Sequence, residues 1–164
     1  MTKKLLELMD VLKIKTTDVK DSFIKNDDDS YELNLNFDKR LRLQKVVFLI
    51  EHKTKDFNYP FSLYLRGPYS KELAREYYSI SEDSYSEPDQ PMSDEAKKLA
   101  NMLSKKDNIW LEIASTIVMF SGSYKPDEAV KRTKEFKEDV LKAEVKDHNY
   151  VDSVYEEIKK MDLL

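Results

Sequence analysis

The sequence contains no cysteine. Disulfides, thiolate nucleophiles and cysteine-ligated zinc are therefore excluded together. It contains only two glycines, Gly67 and Gly122. Two glycines cannot supply a G-x-G-x-x-G dinucleotide fingerprint, and their separation rules out a P-loop. The two histidines, His52 and His148, are too far apart for an H-E-x-x-H zinc helix. Long apolar runs are also missing. The longest, Ile109 to Phe120, is interrupted by Glu112, whereas a membrane helix needs about 20 apolar residues. A buried core helix is expected there. The opening MTKKLLELMDVLKIK is broken by Glu7 and Asp10 and does not read as a signal peptide. With no signal, span or cysteine, the cytoplasm is the expected compartment and no membrane contact is expected.

What is present is a chain of 164 residues, 37% charged and 40% hydrophobic. That composition suits one globular domain, 1–164, with a real core. Leu5, Leu6, Met9, Leu12 and Ile14 fall near helical spacing and give an N-terminal helix, followed by a polar loop to residue 30. Tyr31, Leu33 and Leu35 alternate with polar residues, the period of a short strand with one buried face. Asp38 is placed to cap a helix over 39–53, whose apolar residues cover a wide arc and predict burial on more than one side. Phe57, Tyr59, Phe61, Leu63 and Leu65 fall on alternate positions, and the stretch 61–65 reads as extended. Gly67-Pro68 reads as the turn that ends it.

Further along, Ser70 is placed to cap a helix from Lys71 to about Ile80, with Leu73, Ala74, Tyr77 and Tyr78 on its apolar face. A loop with Pro88 and Pro91 follows. Residues 82–95 hold six acids (Glu82, Asp83, Glu87, Asp89, Asp94, Glu95) and no base. Ser93 caps a helix to Leu103, Asp107 or Asn108 starts the core helix 109–120, and Pro126 suits the first turn of another. One or two helices remain after Val140. Phe48, Leu49, Trp110, Ile113 and Ile117 are the expected centre of the core.

Charge is unevenly spread. Residues 39–75 hold nine bases against three acids, a net +6, in a chain whose total is −4. An acidic protein with one basic face can still contact phosphates locally. Lys71 and Arg75 lie four apart, hence on one helix face. An exposed basic helix start of this kind can enter a major groove. The plainer alternative is that Arg75 pairs with Glu72 or Glu76.

Three stretches carry a family resemblance when taken in order. They are Leu43-Gln44-Lys45-Val46-Val47-Phe48-Leu49-Ile50, Gly67-Pro68-Tyr69-Ser70-Lys71-Glu72-Leu73, and Trp110 to Ser115 followed by Asp127-Glu128-Ala129-Val130, Lys134 and Lys137. Over about residues 38–140 the chain resembles the small prokaryotic YwgA-like proteins. It is more distantly similar to Panacea-domain antitoxins, which share an LQK-type helix and a glycine-proline turn. The resemblance implies a winged-helix-type core with added helices and, on the Panacea side, action by protein contact. A wing hairpin would follow helix 71–80. The acidic loop stands there instead, so the wing is expected to be shortened or lost.

The expected architecture is mainly α with a small β-sheet. A truncated winged-helix-like core (31–106) follows the N-terminal helix and loop (1–30) and precedes a C-terminal helical extension (107–164). Gln44 and Lys45 sit in an apolar helix, where polar heads need partners. Either Gln44 binds nearby backbone and Lys45 snorkels outward, or both project with Arg66 and Tyr69 into a shared pocket. Gly67, Pro68 and Ser70 either hand a strand over to a helix or belong to that site. The candidate interaction residues are therefore Gln44, Lys45, Arg66, Gly67, Pro68, Tyr69, Ser70, Lys71 and Arg75. No catalytic, cofactor or metal residues are expected. Asp27-Asp28-Asp29 lacks the calcium-loop pattern, and neither histidine has a triad context. The leading expectation is a non-enzymatic regulatory or interaction module, antitoxin-like or regulator-like, that binds a protein partner. The alternative is a winged-helix-type DNA-binding regulator. Oligomeric state is not fixed by the sequence.

Overall fold

In the computed structural model of the protein, residues 2–25, 27, 31–34, 36–81 and 90–164 are described. Helix α1 (Thr2–Val11) leads through a 3₁₀ turn into strands β1 (Ser22–Lys25) and β2 (Tyr31–Asn34). These are followed by α2 (Phe37–Thr54), β3 (Ser62–Tyr64), β4 (Gly67–Tyr69) and α3 (Lys71–Ser79). The second half is helical: α4 (Asp94–Leu103), α5 (Asn108–Ser121), α6 (Pro126–Phe136), α7 (Glu138–Ala143) and α8 (His148–Lys160). The chain is mainly α with a small amount of antiparallel sheet. β1 pairs with β2, Phe23 opposite Leu33, and β3 pairs with β4, Leu63 opposite Pro68. Each hairpin precedes a helix. Among the described residues no strand follows α3. Glu82, Asp83, Glu87, Pro88 and Asp89 of the acidic loop lie outside the described residues, as do Asp28 and Asp29. The expected buried face of 31–35 falls on side chains outside them too.

Helix α5 is the hub. It packs on α2, α6, α8 and β4. The reason is compositional: Trp110, Leu111, Ile113, Ala114, Ile117 and Val118 are all buried, and a helix that is apolar all round must be covered on every side. Helix α2 buries Leu43, Val46, Val47, Leu49 and Ile50 completely, with Phe48 at its margin. The five residues expected at the centre are thus all core. One connected core runs from Leu5 to Leu163. Among the described residues no helix is long and apolar enough to cross a membrane.

The caps explain where the helices begin. Ser70 Oγ accepts from Leu73 N (3.2 Å), Ser93 Oγ from Ala96 N (3.2 Å) and Asp107 from Trp110 N (2.7 Å). Each satisfies one of the orphan amides of a first turn. Pro126 opens α6, where its missing N–H costs nothing. Asp38 does not cap α2. The cap position is Asn36, in the left-handed region at φ 44°, with no side-chain cap bond. Its amide donates to Lys20 O (2.8 Å) instead, and Asp38 sits inside the first turn.

One further expectation changes. Gly67-Pro68 is not the turn but the start of β4; Leu65-Arg66 is the turn. The alternating residues over 57–65 differ in burial. Phe57 and Tyr59 are buried, but all three residues of β3 are exposed. A three-residue strand needs only its pairing with β4, and it is β4 that meets the core.

Arg42 fastens α2 to the far end of α4. Its guanidinium donates to the carbonyls of Ser104 (2.6 Å), Lys106 (2.7 Å) and Leu103 (3.4 Å), and to Asn108 Oδ1 (3.2 Å). These carbonyls end a helix, where a cation is doubly favourable. Replacing Arg42 with Met is expected to lower unfolding free energy by about 2 kcal/mol. Urea unfolding checks this: the midpoint falls and the slope stays unchanged.

Candidate functional site

The site begins with a buried carboxylate. Glu112 lies on α5 with no exposure, so its charge must be met inside the protein. Arg66, in the β3–β4 turn, meets it with both arms of its fork: Nε to Oε1 at 2.8 Å and NH2 to Oε2 at 2.7 Å. Lys137, where α6 gives way to α7, donates to Oε1 at 2.8 Å and is itself fully buried. Burial pushes the Lys137 amine below the ordinary lysine range, while Glu112 pulls it back up. The bond from Glu112 holds Arg66 above its usual value.

Helix α2 approaches the same hairpin from the other side. Gln44 and the Ser70 backbone exchange two bonds, Nε2 to Ser70 O (2.9 Å) and Ser70 N to Oε1 (2.8 Å). Lys45 donates to Pro68 O at 2.7 Å. The two sequence motifs around residues 44 and 67 are therefore bonded to one another. Gln44 does bind backbone, but Lys45 does not snorkel: it is 2% exposed. Its amine is held down to about 7, first by burial and then by Lys137, against a smaller pull upward from Glu112.

Gly67 sits between the two buried amines. Its φ is +90°, a region that disfavours side chains. A Cβ there would lie 2.6 Å from Thr116 Oγ1, 3.6 Å from Lys45 Nζ and 3.8 Å from Lys137 Nζ. The glycine thus serves close approach of the hairpin to α5 as well as backbone shape. Thr116 is fixed in turn by donating to Glu112 O (2.7 Å).

Outside this cluster the elements leave an open cleft of about 440 Å³. Phe37, Arg40, Leu41, Gln44 and Lys45 of α2 form one wall. Tyr64, Leu65, Arg66, Gly67 and Tyr69 of the hairpin form another, and Tyr77 and Tyr78 of α3 close it. Cations stack on its rings: Arg66 lies 5.5 Å from the Phe37 centroid and Arg40 5.7 Å from that of Tyr78. Tyr64 and Tyr69 are 5.1 Å apart, Tyr77 and Tyr78 5.0 Å.

The structure thus brings Gln44, Lys45, Arg66, Gly67 and Tyr69 together. Pro68 and Ser70 stand behind them as bonding partners and cap. Lys71 and Arg75 are exposed on α3 and do not line the cleft. The acids proposed as partners of Arg75 are engaged elsewhere: Glu76 accepts from Tyr59 (2.6 Å) and Glu72 lies 3.4 Å from Ser70 Oγ. Phe37, Arg40, Tyr64, Leu65, Glu112 and Lys137 were not among the candidates from sequence. A lone acid in an apolar helix was the available signal for Glu112. Among the described residues no three His, Asp or Glu side chains converge as a metal-binding group. Set against protein-family models, curated proteins and solved structures, the chain matches none.

Two outcomes are expected at this cluster. Gly67→Ala is expected to cost about 3 kcal/mol, combining a left-handed backbone with a close clash. Adding Thr116→Ala returns only part of that, since the φ penalty stays; a double-mutant cycle in urea reads the coupling. Lys45 gives a pH signature. Between about pH 7 and the ordinary lysine range the unfolded chain binds a proton that the native state lacks, so stability rises with pH there. Urea midpoints at pH 7 and pH 9 should show a larger rise for the wild type than for Lys45→Met.

Proposed function

We propose that this chain is a non-enzymatic interaction module that docks a protein partner on the cleft between α2, the β3–β4 hairpin and α3. One observation carries the reading. Phe37 (47% exposed), Tyr64 (43%), Leu65 (90%) and Tyr78 (45%) gather on this cleft, with Leu63 on the same hairpin. Scattered apolar surface needs no explanation, but a contiguous aromatic patch flanked by arginines has the composition of a protein interface. The more distant similarity to Panacea-domain antitoxins, which act by protein contact, points the same way. On this reading the chain is antitoxin-like or regulator-like and acts without catalysis, in the cytoplasm.

A second reading has its own observation. Lys71 and Arg75 are exposed, one turn apart, at the start of a capped helix. That is the arrangement a DNA-binding regulator presents to phosphates. Exposed Glu72 lies between them and α3 is only nine residues long, so the cleft ranks first.

The two readings separate by mutation. Partners cross-linked in cells to the full chain are identified by mass spectrometry, for wild type, Leu65→Asp and Lys71→Glu/Arg75→Glu. Docking at the cleft predicts that Leu65→Asp loses its partner by about tenfold or more while the α3 variant keeps it. Duplex binding by fluorescence anisotropy that weakens with salt and vanishes in the α3 variant would instead establish the DNA reading. Partner capture indifferent to Leu65→Asp removes the cleft from consideration.

A further inference from the structure

Resting on the docking reading, we infer that the partner segment is acidic: an extended peptide whose aromatic or aliphatic side chain enters the cleft beside a carboxylate that meets Lys45. Charge complementarity carries this. Among the described residues, three bases line the cleft, Arg40, Lys45 and Arg66, and no Asp or Glu does. The bases are not equally satisfied. Arg66 spends its fork on Glu112 and also feels Asp38 and Glu144. Arg40 is paired with Asp21 at the surface.

Lys45 differs from both. Among the described residues its amine has one carbonyl, Pro68 O, and no carboxylate of its own. Glu112 is near, but both its oxygens are taken by Arg66 and Lys137. The charged groups acting on Lys45 are Glu112 from α5, Lys137 from the α6–α7 junction and Arg66 from the hairpin turn, two like charges against one opposite. A buried cation without a counterion is costly. An anion entering along the cleft supplies what the fold withholds.

The hairpin argues for a peptide. β3 bonds to β4 on one side, and among the described residues no strand occupies its other side. Its three side chains are exposed. A free strand edge beside an apolar cleft is how extended segments are bound: backbone bonds give affinity, and alternate side chains give selectivity.

Proton linkage follows. The free protein holds the Lys45 proton weakly near neutrality, and a bound carboxylate strengthens its hold. Affinity therefore falls as pH rises above about 7, by about fivefold between pH 6 and pH 8 if binding raises the Lys45 pKa by one unit.

Random twelve-residue peptides displayed on phage, panned at pH 6.5 on the immobilised full chain, test this. Wild type, Lys45→Met and Leu65→Asp are panned in parallel. The expected result is enrichment of Asp or Glu next to an aromatic or aliphatic residue on wild type, lost on both variants. Synthetic copies of the enriched peptides should bind with the stated pH dependence, which Lys45→Met abolishes. Should Lys45→Met fail to fold, lysine side-chain NMR on the wild type decides: the Lys45 titration must move to higher pH when peptide is added. Neutral or basic peptides lost with Leu65→Asp would overturn this inference and leave the docking reading standing. No enrichment would sink both. Acidic peptides that still bind both variants, tight binding of N-acetylphenylalanine alone, or displacement by a DNA duplex would each overturn it.

Discussion

A carboxylate with no access to water governs this fold. Glu112 is placed on the most apolar helix of the chain, where an unpaired charge would cost several kcal/mol. Its two oxygens accept three bonds from two cations. Arg66 comes from a hairpin turn 46 residues earlier, and Lys137 from a helix junction 25 residues later. One charge on α5 thereby fixes both the hairpin and the C-terminal helices. Breaking either ion pair would leave a buried charge behind, so the arrangement is far more costly to disrupt than its net contribution to stability suggests.

The hairpin is held from its second side by backbone recognition. Gln44 treats the Ser70 peptide as a strand neighbour would, giving one bond and taking one. Ser70 is then free to use its hydroxyl as the α3 cap. Gly67 allows the hairpin its close approach to Thr116 of α5. A hairpin of six paired residues would not be stable alone. Here it is clamped between α2 and α5, and only its outer strand remains exposed. The cleft is a consequence: α2 and α5 hold β4, and residues of α2, the hairpin and α3 line the space beside it.

The legible parts of the sequence were local ones. Ser70, Ser93, Asp107 and Pro126 marked helix starts because a cap acts within three residues. The apolar face of α3 followed from periodicity, apart from Tyr78, which faces outward. What escaped was what depends on distant partners. Asn36 rather than Asp38 stands at the start of α2, and it makes no cap bond there because its side chain reaches Lys20 O. Gly67-Pro68 has turn composition, yet it is a strand because α5 and Lys45 hold it from outside. Gln44, Lys45, Arg66 and Tyr69 could be grouped from their motifs. Glu112, the residue that makes their grouping necessary, looked only like an interruption in an apolar run. Lys71 and Arg75 share a helix face as spacing required, but spacing could not place that face relative to the cleft.

On the docking reading, the contrast between Lys137 and Lys45 divides structural and binding roles within one cluster. Both are buried amines beside Gly67, and burial lowers the proton affinity of both. Lys137 has a carboxylate at 2.8 Å and serves to close the core. Lys45 has only a carbonyl and stands in the wall of the cleft. If Lys45 existed solely to hold the hairpin, a neutral donor such as glutamine would bond to Pro68 O without the cost of burying a charge, as Gln44 does one residue earlier at Ser70. A lysine adds to that bond the capacity to gain charge when an anion arrives. Of the two buried amines, the one without a carboxylate is therefore also the one that lines the cleft.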